Sequence, residues 1–226
     1  MTHSSIHTRN RLPGLVNPIF NPISSISVDF DSIPTSAVGS NVSSISFSHT
    51  VLSGTNGFLV VPVFNGTDTD IVTYGMNTLT SYGFTGTYPN TRCELWGLVN
   101  PPIGTDTVTV TFPSNFYAEV GAVAFKNVNQ TFPVSGLTTD ALNTDAVSLT
   151  IPSSATSMVL GCISYWNPDG DILLDSGLYS LWSISSDGAW KASSFTKGGS
   201  SSVSLSVSNM SISNYHSFIG ISIDAI

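Results

Sequence analysis

The feature that most constrains this chain is the alternation of hydroxyl and aliphatic residues, plainest in Ser-Ser-Val-Ser-Leu-Ser-Val-Ser at 201–208 and Thr107-Val108-Thr109-Val110-Thr111. A period of two places hydroxyls on one face and methyl groups on the other, the geometry of a half-buried strand rather than of a helix. The same pattern, or a short apolar run, predicts strands at 42–48, 58–64, 71–74, 79–84, 93–99, 107–112 and 118–125. It continues at 147–151, 157–165, 178–183, 190–195, 202–208 and 217–223, with Gly, Pro, Asn and Asp between the runs. No segment reads as a helix. Pro62 interrupts Phe-Leu-Val-Val-Pro-Val-Phe at 58–64, which predicts a bulge or an edge position there. So many short strands at regular spacing predict an all-β fold: a two-sheet antiparallel β-sandwich over residues 27–226, read as a single domain.

Composition narrows the function. With 41% hydrophobic and 9% charged residues in 226, the chain can bury enough apolar surface to offset its entropy, so disorder is excluded. Six Lys and Arg against fourteen Asp and Glu leave no basic patch for a phosphate backbone, so no nucleic-acid partner is expected. No run approaches the roughly 20 apolar residues of a membrane span, and no secretory signal is visible, so the chain is expected to be made in a cytoplasm and to bind no membrane. Cys93 and Cys162 are then expected as reduced, buried thiols. The four N-x-S/T sequons at Asn41, Asn65, Asn129 and Asn209 follow from a composition rich in Asn, Ser and Thr.

Residues 1–26 differ from the rest. They hold Arg9, Arg11 and Pro13, Pro18 and Pro22 but no acid, a charge of +2, whereas residues 27–226 carry four basic and fourteen acidic groups. Three prolines disfavour helix. A solvated tether would avoid bulky apolar residues, yet Ile6, Leu12, Leu15, Val16, Ile19, Phe20 and Ile23 are present. The segment is therefore read as an extended docking arm whose contacts are these residues with Arg9 and Arg11. Its target is the chain's own body, a neighbouring copy or another protein.

Catalytic and metal signals are weak. Asn167, Asp169 and Asp171, with Asp175 beyond, place hard oxygens at alternate positions, as a calcium loop does. Ile172 stands where such a loop needs glycine and Leu178 where it needs glutamate, so a solvated acidic turn without metal is expected. The only glutamates, Glu94 and Glu119, fall in predicted strands, and Arg92 lies two residues before Glu94 on the same face. A surface ion pair is expected there, not a glycosidase pair. There is no G-x-S-x-G or H-E-x-x-H, and His49 and His216 stand alone. Trp96, Trp166, Trp182, Trp190, Tyr165 and Tyr179 could stack a sugar, but large aromatics in a sandwich are usually core; Trp96 is read as core and Trp166 as the exposed one. No catalytic residue and no cofactor are expected.

From Tyr74 onward a family pattern emerges. Tyr74-Gly75 with Leu79-Thr80, Glu94-Leu95-Trp96, Asn100-Pro101-Pro102-Ile103-Gly104-Thr105, Val108-Thr109-Val110, Ala122-Val123-Ala124-Phe125 and Val128-Asn129-Gln130-Thr131-Phe132-Pro133 resemble a jelly-roll-like β-sandwich domain of phage virion proteins and bacterial surface proteins. The closing strands around Val203 to Val207 and Phe218 to Ile223 are similar to that domain's last two, while Met76 stands where it has a second glycine. The resemblance implies a non-enzymatic structural protein of a virus particle, such as a tailed-phage capsid decoration or cement protein. It would be anchored by its arm to the major shell protein or a neighbouring virion protein, and a homo-oligomer, with a trimer favoured, would supply avidity. The alternative is a carbohydrate- or receptor-binding module of a tail fibre or cell-surface protein.

Overall fold

The computed structural model describes residues 26–53, 55–86, 91–141, 144–166, 171–185, 190–210 and 215–226. Every regular element among them is a strand. The first half holds β1 (Asp29–Phe30), β2 (Thr35–Val51), β3 (Phe58–Asn65), β4 (Ile71–Tyr74), β5 (Asn77–Thr78), β6 (Thr80–Gly86), β7 (Arg92–Val99) and β8 (Gly104–Lys126). The second holds β9 (Val134–Asp140), β10 (Ala146–Pro152), β11 (Met158–Trp166), β12 (Leu173–Leu174), β13 (Tyr179–Ser185), β14 (Trp190–Gly198), β15 (Ser202–Ser208) and β16 (His216–Ile223). Hydrogen bonding divides them into an eight-stranded, a five-stranded and a three-stranded antiparallel sheet, where the sequence predicted two sheets.

The difference arises in β8, predicted as two strands at 107–112 and 118–125 but continuous over 23 residues. Its register with β2 shifts on both sides of Val42, opposite the stretch from Thr111 to Phe116, and there the sheet turns a corner. Val108, Val110 and Phe112 before the corner share one core with Ala118, Val120 and Ala122 after it, so the sheet folds over on itself. Leu59, Val61 and Val63 fill that core from β3, while Phe58, Val60 and Phe64 on the opposite face meet Leu160, Ile219 and Ile221 of the five-stranded sheet. The other face of that sheet packs Val159, Ile163 and Phe218 against Leu149, Val203 and Leu205 of the three-stranded sheet. Four layers thus enclose three cores.

The halves repeat one topology. The five-stranded sheet runs β13-β14-β11-β16-β9 and the three-stranded one β10-β15-β12. In the first half β6, β7, β3, the end of β8 and the start of β2 follow the former order, and the end of β2, the start of β8 and β4 follow the latter. Register agrees in detail: Phe58 pairs with Val99 and Phe125 as Met158 pairs with Gly198 and Ile223. A bulge falls between Ser81 and Gly83 opposite Trp96 and Leu95, and again between Ser180 and Trp182 opposite Phe195 and Ser194, at the equivalent positions. The repeats face each other with approximate twofold symmetry, for β6 lies against β9 and β16 while its counterpart β13 lies against β2 and β8.

Several expectations are met and others corrected. The strand end at Val99 and start at Gly104 bracket the predicted turn, with Asn100 and Gly104 at positive φ. Among the described residues every non-glycine with positive φ is an asparagine, at 41, 56, 100, 127 and 209, which accounts for part of the chain's Asn content. Pro62 is neither at an edge nor at a bulge: β3 lies between β7 and β8, and Pro62 pairs with Leu95 in regular register. On the β8 side pairing lapses at Val61 and Pro62 while register is kept from Val60–Val123 to Val63–Val120, as expected of a residue with no N–H to give.

Candidate functional site

The arm residues Ile6, Arg9, Arg11, Leu12, Leu15, Val16, Ile19, Phe20 and Ile23 lie outside the described residues, as do Asn167 and Asp169. The chain is tied down from Val28, whose amide donates to Thr156 O at 2.8 Å, and by β1 pairing with the end of β8. Asp31 is buried and accepts from the Ser53 amide at 3.0 Å and from its hydroxyl, closing the entry to β2.

The first repeat ends in a polar clasp. Arg92 opens β7; its guanidinium lies 3.8 Å above the Phe84 ring centre, its Nη2 is 2.9 Å from Asp68, and its Nε donates to Glu94 Oε1 at 2.7 Å. Glu94 also accepts from the Thr69 amide and from Trp96 Nε1, each at 3.0 Å. With 3% exposure it is a buried carboxylate satisfied by three donors, not the surface ion pair expected from Arg92-Cys93-Glu94. The reason is its place beside Val63 in the middle of the sheet, under the loop that carries Asp68 and Thr69. Glu119 is buried as well, but it pairs with Phe64 while Glu94 pairs with Val63, so the two carboxylates point to opposite faces of the sheet.

The second repeat has a looser counterpart. Lys191, first but one in β14 and equivalent in register to Arg92, reaches Asp171 at 3.0 Å, and Asp171 is 73% exposed. An ammonium therefore occupies the carboxylate considered for calcium, and no cluster of metal-ligating side chains forms among the described residues.

Trp96, Tyr165 and Trp182 serve three different cores, while Trp190, half-buried, opens β14 directly opposite Trp166. Trp96 is half-buried on the folded-over core, Tyr165 is fully buried in the core against the three-stranded sheet, and Trp182 lies between the repeats. Trp182 rests directly on Gly121, where a Cβ would sit 1.9 Å from its ring. Tyr179 is exposed, 6.1 Å from Phe30, and the Trp166 side chain lies outside the described residues. His49 shares a 2.8 Å hydrogen bond with Thr35, and burial pushes its pKa down to about 4. His216 lies 3.3 Å from Asp140; burial lowers its pKa too, against the opposing pull of that carboxylate.

Between the repeats the chemistry is structural. Cys93 and Cys162, distant in sequence, meet across this seam as free thiols: Cys93 Sγ donates to Cys162 O at 3.6 Å and Ser194 Oγ to Cys162 Sγ at 3.3 Å. Burial pushes the Cys162 thiol up to about 12 and raises Cys93 as well, so neither is a ready nucleophile. Ser217 Oγ donates to Thr91 O at 2.7 Å, and Thr85 Oγ1 to Asp140 O at 3.4 Å, closing one end of the seam.

What sequence reasoning missed is an edge. β2 runs 17 residues, pairs with β8 on one side and with no described strand on the other. Its outward side chains and those of β8 form a hydroxyl face with cross-strand bonds Ser46–Thr109 at 3.0 Å and Thr50–Thr105 at 2.7 Å. No protein-family model, no curated protein and no solved structure matches the chain.

Proposed function

We propose that the chain is a non-enzymatic structural protein of a virus particle, a decoration or cement protein of a tailed-phage capsid, held in the virion through its N-terminal arm. The observation that carries this reading is the strand order, repeated twice. Counting eight strands per repeat, one sheet runs first-eighth-third-sixth-fifth and the other second-seventh-fourth; apart from the fifth strand, which lies beside the sixth instead of the fourth, this order resembles that of a jelly roll, an architecture used by viral capsid proteins and by lectins. The distribution of polar groups favours the capsid over the lectin. Of the groups that could bind a sugar, Glu94, Trp96 and Trp182 are spent on holding a loop, a strand and the repeat seam together. An acidic body faces water and a basic, apolar arm is available for a partner, in a protein made in the host cytoplasm.

The test is to count copies in purified particles by quantitative mass spectrometry and to compare coating by the full chain with coating by a chain lacking residues 1–26. A copy number in simple ratio to the shell protein, with coating lost on truncation, is the expected result. A handful of copies per particle, or glycan binding that survives truncation, would move the chain to a fibre or receptor-binding role.

A further inference from the structure

We propose that β2 of one copy accepts residues 15–23 of a second copy as an added antiparallel strand, so that the arm's partner is this chain itself. The inference rests on the gripping-arm reading above and specifies what the arm grips.

The acceptor is unusually open. From Ser44 to Val51, β2 keeps unbroken register with Thr111 to Gly104 on one side, and the other side is unpaired among the described strands. Edge strands are normally guarded by lysine, inward charge or proline. β2 contains no Lys, Arg, Asp, Glu or Pro. Its bulges lie before Ser44 and leave the last eight residues as a regular template.

The arm has the complementary pattern. Pro18 and Pro22 fall on residues of the same parity. In a strand paired along one edge, alternate residues turn their amides to the partner, and proline is tolerated only where the N–H would face away. Residues 15, 17, 19, 21 and 23 all keep an amide, so this stretch can pair along one side without losing a donor, whereas Pro13, of the opposite parity, lies just outside it. Nine extended residues cover roughly 30 Å, enough to span the regular stretch of β2 from Ser44 to Val51.

Direction and charge select a second copy. β1 and β2 lie in line on the same edge of β8, Asp29 opposite Lys126 and Thr35 opposite Ala122, both antiparallel to it. The chain preceding Asp29 leads past the end of β8, and because Asp31 accepts from the Leu52 and Ser53 amides the root of the arm lies beside the end of β2; its own arm folded back along that edge would run parallel to β2, whereas an antiparallel strand there comes from a second copy. An arm of charge +2 is drawn to a body with four basic and fourteen acidic groups, and main-chain pairing along the edge then supplies the contact.

The experiment uses the full chain in solution, without particles. Sedimentation gives its mass against the 23.8 kDa of one chain, and hydrogen exchange reads the amides of residues 44–51. The expected result is an oligomer that dissociates on dilution, with those amides protected only in the oligomer. Ile19→Pro removes an amide aimed at β2 and should give monomer with exposed β2 amides. Pro18→Ala, one residue before, restores an amide aimed away and should leave both readouts unchanged. Circular dichroism of each variant checks that the body stays folded, so an unfolded variant does not confuse the result. A full chain that is monomeric at all concentrations, β2 protection in the monomer, or equal loss with both variants overturns the inference. A monomeric chain that still coats particles overturns this inference alone, whereas an oligomer that fails to coat particles overturns the virion reading alone.

Discussion

The two repeats share strand order, register and even the position of a bulge, yet they fasten the same end differently. In the first, an arginine stacked on Phe84 is held by Asp68 and by a buried glutamate with two further donors. In the second, Lys191 meets a largely exposed aspartate, and Ser193 stands where the first repeat has Glu94. Topology therefore does not depend on the buried clasp. What the clasp adds is local: it pins the loop around Asp68 and Thr69 to β7 in the repeat that also carries the open edge of β2.

The comparison breaks first at Glu94. Glu94→Ala leaves Arg92, the Thr69 amide and the Trp96 indole without their common acceptor, and removing one partner of a buried ion pair typically costs about 3–5 kcal/mol. Urea unfolding should show a midpoint lowered accordingly; a loss of about 1 kcal/mol or less, as for a surface pair, would mean that the two clasps are equivalent. A smaller effect separates the buried histidines. His49 has a native pKa of about 4 against 6.5 when exposed, so the unfolded chain binds the proton first and stability falls as pH drops from 6.5 to 4. Between pH 7 and 5, before most carboxylates titrate, this amounts to about 2 kcal/mol. His216 is lowered for the same reason but opposed by Asp140, so its slope has the same sign and is shallower. Unfolding curves of His49→Gln should flatten over this window more than those of His216→Gln; the reverse order would overturn the assignment.

Much of this was legible in the sequence because a strand's facing is a property of its own residues. The alternation at 202–208 and the turn at 100–105 needed no partner to be read, and both strand ends fall where the turn residues put them. The duplication was not legible, because it resides in which strand pairs with which: the equivalent positions hold Phe58 and Met158, Trp96 and Phe195, Gly83 and Trp182. Shape and bulk are exchanged between the repeats, so no period survives in the letters. The corner in β8 was hidden for a related reason, since Pro113, Ser114 and Asn115 look like a loop and only pairing with β2 on both sides makes one strand of it. Glu94 was misread as surface although a signal was available. Cys93 and Leu95 flank it on one face and Trp96 follows, so the strand is apolar on both sides, and a lone acid there is more economically placed as a buried acceptor than as a solvated one.

The smallest expected effect sits in the second repeat and sharpens the contrast with the first. The Lys191 side chain is largely covered but Asp171 is 73% exposed, so their attraction is weakened by solvent and screened by salt, and the backbone oxygen of Asp171 keeps its bond from Asn209 whatever the side chain. Asp171→Ala should cost about 1 kcal/mol or less and lose even that in molar salt, while the cost of Glu94→Ala persists because its partners are buried with it. Measuring both variants at low and high salt separates a clasp made by burial from one made by proximity. If Asp171→Ala proved as damaging and as insensitive to salt as Glu94→Ala, the loop before β12 would have to be fastened from inside like its counterpart before β4, and the repeats would differ in composition only.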